Sequence, residues 1–550
     1  MSKPTRLIAL LAAAALAAMG AAAVAAGTDT GRRTAAAAEV RAADYPELTE
    51  KELGHIRRMI RLARQLPGDW SGMGDDLWAV AERTRQFQLA YMAAALGLVQ
   101  HNYTPAYREL YRKTMDALIQ KMTLPDVWES WLHSSRGGTL ASDPDAPDLG
   151  SGWIDPIRKD NAMLKGYLLQ AGALYEMLYR DGKYDEPGAF TFVYQPMTWG
   201  NGPESFRYSL GEIAAIVHRE YAEGHYEGIQ CEPNRIFPAC NNPPILGLIN
   251  YDQVHGTGYA ADVMPKFKAA WVGKHYTNPV TKSNVRFIFV KQNRYEESGD
   301  GAVLDGWAGA WMHAWSPEMM QTIYPGQRAL YLQRFLTGRY AEGAPESGSP
   351  SGNTSMISLG FGQFAFMAAE NGDTAARQQL LDYADRNFHP VWDQGAYYYP
   401  RSGDYRPDAD GNSHGVDTWT GNVLIALARL DQGSGFLKLY REPWGRAELD
   451  APQITDVDDL AVNVSQAWYD PSKHALIVTL RPGPVKTSQT RFLVRQLDPQ
   501  GAYRVVKDGG VVARLKGGSP SSGDVAWESD GALSVRTDLE RPHSFIVVAE

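Results

Sequence analysis

Cysteine is nearly missing from this sequence: 550 residues carry only two, Cys231 and Cys240. That excludes a scaffold stapled by several disulfides, which needs a dense cysteine set. Positive charge is also scarce. Lys and Arg total 54 against 63 Asp and Glu, a formal net charge of -9. With no basic stripe or recognition motif beside it, this balance argues against nucleic acid as a partner. After the first residues, no window approaches the roughly 18 unbroken apolar residues that a membrane-spanning helix needs. GxSxG, P-loop, HExxH and dinucleotide-binding patterns are all lacking, and Gly360 and Gly362 follow no strand.

The beginning of the chain is different. Lys3 and Arg6 precede an apolar run from Leu7 to Ala26 that ends in small residues from Ala22 to Ala26. Residues 1–26 therefore read as a secretory signal, with an uncleaved membrane anchor as the alternative. An Ala-, Thr- and Arg-rich stretch makes residues 27–45 a linker, and the expected location is periplasmic or extracellular. In an oxidising compartment, two cysteines nine positions apart are candidates for one disulfide.

Hydrophobic periodicity then predicts a succession of helices. The first covers 50–65, stopped by Pro67 and Gly68, the second 75–100, and a third opens at Thr104-Pro105. A loop rich in Gly, Ser, Asp and Pro spans 128–153, and Asp155-Pro156 starts the next helix. A β-like segment lies at 190–193 and a helix at 209–225. Further helices are expected at 260–272, 307–314, 324–336, 357–370, 375–388 and 420–430. Short helices alternating with long aromatic loops predict paired helices closed into an (α/α)6 barrel, a helical toroid, over residues 46–445. From residue 451 to 550, alternating β-branched runs separated by turn signals predict an accessory β-sandwich.

Both cysteines lie in one stretch, Gln230 to His255, with Pro233, Pro238, Pro243 and Pro244. Prolines so dense predict a stiff loop, followed by a helix from Ile245 to Val254. Metal ligation by the thiols would need more ligands. His218, His225 and His255 are near in sequence, but at no common zinc spacing. Two free thiols facing a substrate can instead serve as general acid and general base, because their pKa of about 8.5 lies close to neutrality. Glu232 can hold a hydroxyl or tune the thiol, or be a surface or capping carboxylate. The 15 Trp, 28 Tyr and 16 Phe suit apolar or sugar-like ligands and serve equally well as core.

The pattern Cys231-Glu232-Pro233, Phe237, Cys240-Asn241, Tyr251-Asp252 and His255-Gly256-Thr257 resembles the linalool dehydratase/isomerase family. Asp155-Pro156-Ile157 with Asn161, Met163, Lys165, Gly166 and Leu168 is similar to another family segment. His313 with Pro317, Tyr324 and Pro325 is similar to a third. The similarity runs from about Trp78 to Arg441.

The resemblance implies an (α/α)6 barrel enzyme without cofactor, exported and often oligomeric, that dehydrates and isomerises allylic terpene alcohols. It implies Cys231 and Cys240 as acid/base thiols, Glu232 hydrogen-bonding beside them, and Met163, Phe237 and Asn241 around a small hydrophobic alcohol. The family's catalytic histidine falls at Tyr167, a phenol with a pKa of about 10. Asn234 stands where the family has aspartate, and the C-terminal sandwich is extra. The alternative is an exported polysaccharide lyase or glycosidase, with Tyr167 and His218 or a carboxylate pair as acid and base.

Overall fold

In the computed structural model the described residues are 40–73, 84–137, 143–146, 150–198, 200, 202–297, 301–337, 355–401, 408–409, 412, 414–416, 421–517 and 523–550. The expected signal, most of the linker and the start of the second expected helix lie outside them. No described helix is long and apolar enough to cross a membrane.

Local signals set the helix starts. Thr49 and Glu52 form a reciprocal capping box that opens α1 (Glu50–Ala63). Then come α2 (Thr84–Asn102), α3 (Glu109–Lys121), α4 (Ala162–Tyr179) and α5 (Leu210–Glu223), the last opened by a Ser209–Glu212 box. The series continues with α6 (Asn242–His255), α7 (Tyr259–Gly273), α8 (Ala302–Trp315), α9 (Pro317–Thr337), α10 (Ser355–Glu370), α11 (Thr374–Asn387), α12 (Gly421–Leu430) and the short α13 (Gly435–Arg441).

The packing alternates along the chain. Each even-numbered helix from α2 to α12 touches the next even-numbered one, and α12 returns to α2. The odd-numbered helices lie against them: α3 bridges α2 and α4, α5 bridges α4 and α6, α9 bridges α8 and α10, and α11 bridges α10 and α12. Burial follows this division. Every residue of α8 except Leu304 is buried, as expected of a helix enclosed on all sides, whereas α11 buries one face only.

Small residues bring the inner helices together. A Cβ added at Gly166 of α4 would lie 2.6 Å from the Pro244 ring, and one at Gly247 of α6 would lie 2.8 Å from the Gln170 backbone nitrogen. The α4 and α6 backbones therefore touch where each has a glycine.

Hairpins decorate the ring: β1 (Phe190–Tyr194) with β2 (Glu204–Tyr208), a sheet of β3 (Arg235–Ile236), β4 (Val285–Phe289) and β5 (Arg294–Glu297), and β6 (Val391–Asp393) with β7 (Ala396–Tyr398). After α13 the chain turns to β8 (Gln453–Thr455), β9 (Val462–Asp470), β10 (Ala475–Pro482), β11 (Gln489–Arg495), β12 (Tyr503–Lys507), β13 (Gly510–Leu515), β14 (Val525–Trp527), β15 (Leu533–Asp538) and β16 (His543–Ala549). They form two antiparallel sheets, ordered β13-β12-β16-β10-β9 and β14-β15-β11-β8. Phe492 of one meets Phe545 of the other, with ring centroids 5.3 Å apart.

Three expectations change. The helix expected from Asp155 begins at Ala162. The Asp155 carboxylate accepts from the Ile157 and Arg158 N–H groups, and Asp160 and Asn161 adopt φ of 51° and 59°, which no right-handed helix accommodates. Conversely, α6 starts at Asn242, so Pro243 and Pro244 occupy its first turn, where a missing N–H costs nothing. The strand Val462–Asp470 arises where no run was expected; its Ala467 carbonyl accepts from Ala106 N–H and ties the sheet to the segment before α3.

Two outcomes test this packing. Gly247→Ala should lower stability by about 1–3 kcal/mol through overpacking, whereas Gly273→Ala, which meets nothing within 4 Å, should be neutral or mildly stabilising; urea midpoints compare them. His55 of α1 is buried, chiefly by which its pKa is driven down to about 3, against an unfolded value near 6.5. The unfolded chain then binds a proton that the fold refuses, so this contribution to stability is full above pH 6.5 and is lost as pH falls toward 3. His55→Phe should flatten the acid limb of the stability profile by up to about 1.4 kcal/mol per pH unit.

Candidate active site

The loop from Gln230 to Asn241 is assembled by hydrogen bonds that replace regular structure. Cys231 N–H donates to the Arg235 carbonyl at 2.8 Å, and Arg235 N–H to the Glu232 carbonyl at 2.9 Å, closing a tight turn through Asn234 at φ 71°. The carbonyls of Gln230 and Cys231 accept from Ala162 and Asn161 N–H, at 3.1 and 3.2 Å. Those donors open α4 and would otherwise lack an intrahelical partner, so the cysteine loop caps that helix.

Cys240 sits in a single 3-10 turn, Ala239–Asn241, that leads into α6. Asn241 pins it. Its side-chain oxygen accepts from Ile229 N–H at 2.7 Å, and its amide donates to the Ile229 and Phe237 carbonyls. Its own carbonyl accepts from the Tyr221 hydroxyl of α5 at 2.9 Å. Asn241 is fully buried, and its amide is engaged by the loop itself.

Both cysteines are free thiols, each about 1% exposed, so the disulfide pairing is not formed. Burial pushes the Cys231 thiol well above its usual value, and the neighbouring Cys240 thiol and Glu232 carboxylate push it further. Tyr167, one turn into α4, is brought to the same place. It is completely buried, and its phenol is raised by burial first, then by Tyr91 and by Cys240. The Tyr167 and Tyr91 hydroxyls lie 2.9 Å apart, with ring centroids 5.6 Å apart at 82°.

Phe87 stands edge-on to Tyr167 at 5.7 Å and to Trp307 at 5.3 Å, and Tyr91 contacts Trp311 at 5.3 Å. The result is an aromatic wall drawn from α2, α4 and α8. Met163 is half-buried in the first turn of α4, and Phe237 is half-buried against Phe287, 5.2 Å away. Glu232 is half-buried in the turn and forms a backbone bridge with Arg235.

Other expected positions are structural. Asp252 accepts from Thr257 Oγ1 and from Tyr259 and Ala260 N–H, which caps α7, and Gly256 takes the left-handed position that ends α6. Lys165 pairs with Glu220 of α5 at 2.5 Å, both buried. His313 meets Glu370 at 2.9 Å, and Glu370 in turn accepts from Phe436 and Leu437 N–H at the start of α13. Burial holds Glu370 up to about 7.

His218 pairs with Asp262, and His255 with Asp185, on other elements than Tyr167. Among the described residues, no group of three or more His, Cys, Asp and Glu is placed to hold a metal ion. Sequence reasoning missed Tyr91, Phe87, Trp307 and Trp311. Each sits in an apolar helix where a site aromatic and a core aromatic leave the same pattern.

Two buried thiols thus lie in one loop between α5 and α6, with Cys240 beside a phenol hydrogen-bonded to a second phenol. A sequence model described as linalool dehydratase/isomerase matches residues 86–405, more than half of the chain, and the chain belongs to that family. Among solved structures, it is similar to an alpha-amylase from Clostridium perfringens at 12% identity, covering 70% of this chain and 99% of that one, with a TM-score of 0.39. A GH76 alpha-1,6-mannanase from Salegentibacter is similar at 11% identity, covering 72% and 98%, with a TM-score of 0.36. A GH127 beta-L-arabinofuranosidase from Geobacillus stearothermophilus is similar at 13%, covering 90% and 80%, with a TM-score of 0.31. Likenesses this remote assign neither substrate nor site.

Removing the Asn241 side chain leaves the Ile229 N–H and two carbonyls without their partner in a buried loop. Asn241→Ala should cost about 1–3 kcal/mol and speed hydrogen exchange at Ile229 ahead of the helices, as read by mass spectrometry.

Proposed function

We propose that this protein is a dehydratase/isomerase of a terpene-like or other allylic alcohol, working with Cys231 and Cys240 as paired acid and base. The helix order, six inner and six outer among the described residues, supports an (α/α)6 barrel over residues 46–445, with the sandwich over 451–550 as an accessory domain. The observation that carries the reading is the pair of free, buried thiols, with Cys240 beside the Tyr167 phenol that bonds Tyr91.

Dehydration of an alkenol breaks a C–O bond and a C–H bond. The departing hydroxyl must gain a proton to leave as water, and a base must take a proton from the neighbouring carbon to leave the new double bond. Cys231, held neutral by burial, donates the first proton. Cys240 starts as the thiolate and accepts the second, and the proton it gains passes to the Cys231 thiolate to reset the site. Isomerisation uses the same groups: water returns to the far carbon of the allylic system, and the protons run in reverse.

Tyr167 stays protonated and donates a hydrogen bond to the hydroxyl, a role that needs no change of charge. Met163, Phe237 and the Phe87–Trp307 wall enclose the hydrocarbon, and Glu232 orients the hydroxyl from the loop side. Excluding water strengthens each of these contacts. The N-terminal segment reads as an export signal, and a homo-oligomer is the expected assembly.

A panel of allylic alcohols with headspace chromatography tests the reading. Alkene or isomer should form, and Cys231→Ala and Cys240→Ala should each lower the rate by at least about a hundredfold without loss of folding. No product from any alcohol, or full activity in protein whose two cysteines are quantitatively linked, would overturn the thiol mechanism.

A further inference from the structure

The turn that carries Cys231 is fastened from another part of the chain by a side chain that the reaction above does not use. Gln292 lies in the turn between β4 and β5, and its amide faces two carboxylates. Its Nε2 donates to Asp143 Oδ1 at 2.9 Å and to Asp145 Oδ2 at 2.7 Å. Lys291, bonded to the same Asp143 carboxyl at 2.5 Å, holds it below the usual carboxylate range, so it remains an acceptor. Carboxylates only accept, which fixes the amide nitrogen of Gln292 on their side. Its oxygen is left facing the cysteine loop, where only a donor can meet it.

Asn234 supplies that donor. Its Nδ2 donates to Gln292 Oε1 at 2.9 Å, while its Oδ1 accepts from Lys291 N–H at 2.7 Å. Its main chain is engaged too: the carbonyl accepts from Val290 N–H at 3.0 Å, and the N–H donates to the Gln230 side chain. Asn234 is 4% exposed and stands at φ 71°, the corner of the turn from Cys231 to Arg235. Glycine would suit that corner but bring no donor, and aspartate, of nearly the same shape, would set oxygen against oxygen.

We propose that Asn234 and Gln292 are positioning residues of the thiol site, whose amide–amide bond locks the Cys231 turn to the β4–β5 turn and to the 143–146 segment. Cys231 precedes the corner by three residues, and its N–H bonds across the turn to the Arg235 carbonyl at 2.8 Å, so freedom at the corner becomes freedom of the sulfur. The asparagine that stands here in place of the family's aspartate is then matched to Gln292. The consequence for catalysis rests on the dehydratase/isomerase reading; the effect on the turn does not.

Hydrogen exchange of the whole chain, read by mass spectrometry, tests the lock without any substrate. Asn234→Asp replaces one NH2 by oxygen and keeps the shape of the corner, and Gln292→Ala removes the partner from a partly exposed turn. In either variant the Cys231 and Arg235 amides should exchange about tenfold faster, while those of α1 keep wild-type rates. The double variant should be no faster than the faster single one, because both changes remove the same bond. With an alcohol that reacts, each variant should lower kcat about tenfold and leave KM unchanged, since the Phe87–Trp307 wall is untouched. Wild-type exchange in the folded variants would overturn the proposal, as would additive effects, or a rise in KM at unchanged kcat. Failure of every alcohol to react would strike the reaction and leave the exchange result standing.

Discussion

The close approach of α4 and α6 governs the geometry of the whole site. Gly166 lies against Pro244 and Gly247 against the Leu169–Gln170 backbone, so the two helices touch without intervening side chains. Tyr167 follows the first of these contacts, and Cys240 precedes Pro244 by one turn. A side chain at either glycine would push apart the two helices at the junction that Tyr167 follows and Cys240 precedes. The same junction explains why a loop can hold a reactive group steadily. Its carbonyls cap α4, its last residues become the first turn of α6, and Asn241 joins the two ends.

Burial then decides which groups carry charge. A thiol or phenol moved out of water pays the cost of ionisation in a medium that screens poorly, so Cys231 and Tyr167 both rise. Lys165 and Glu220, buried nearby, are drawn by burial toward neutrality in opposite directions and are retained as a pair by mutual contact. That pair joins α4 to α5, on which the next residue, Tyr221, reaches the Asn241 carbonyl. Electrostatics here serve mainly to hold elements in register, and Cys231 and Tyr167 remain weak, neutral acids.

Much of this was legible beforehand, and the divisions are instructive. Helix α1 and the strands from β10 onward, β14 excepted, fall where apolar and β-branched runs were expected. The segment 155–161 misled because Asp-Pro commonly starts a helix, whereas here the carboxylate closes a turn and two left-handed residues intervene. The loop's cysteines marked the site, since nothing else in the chain has their chemistry. Tyr91 and Trp307 did not, because a side chain in a fully buried helix gives no sign of which neighbour matters. The Tyr251-Asp252 and His255-Gly256-Thr257 motif shows the converse. It helps to identify the family, yet its hydrogen bonds cap α7 and end α6, so a pattern can be diagnostic of a family and still be purely architectural.

Tyrosine at position 167 is the residue on which the proposed chemistry turns. An imidazole at that place could exchange protons near neutrality, whereas a buried phenol bonded to a second phenol remains a donor throughout. In the proposed reaction the acid and base roles then fall on the sulfurs alone, and a sulfur pair of equal chemistry could work in either direction only if its surroundings break the symmetry. They do so visibly: Glu232 and the Arg235 turn adjoin Cys231, while Tyr167 faces Cys240. The two sulfurs are therefore unlike, one set beside Glu232 and the other beside a phenol. In the proposed reaction that asymmetry, more than the presence of two thiols, would distinguish the carbon that loses oxygen from the carbon that loses hydrogen.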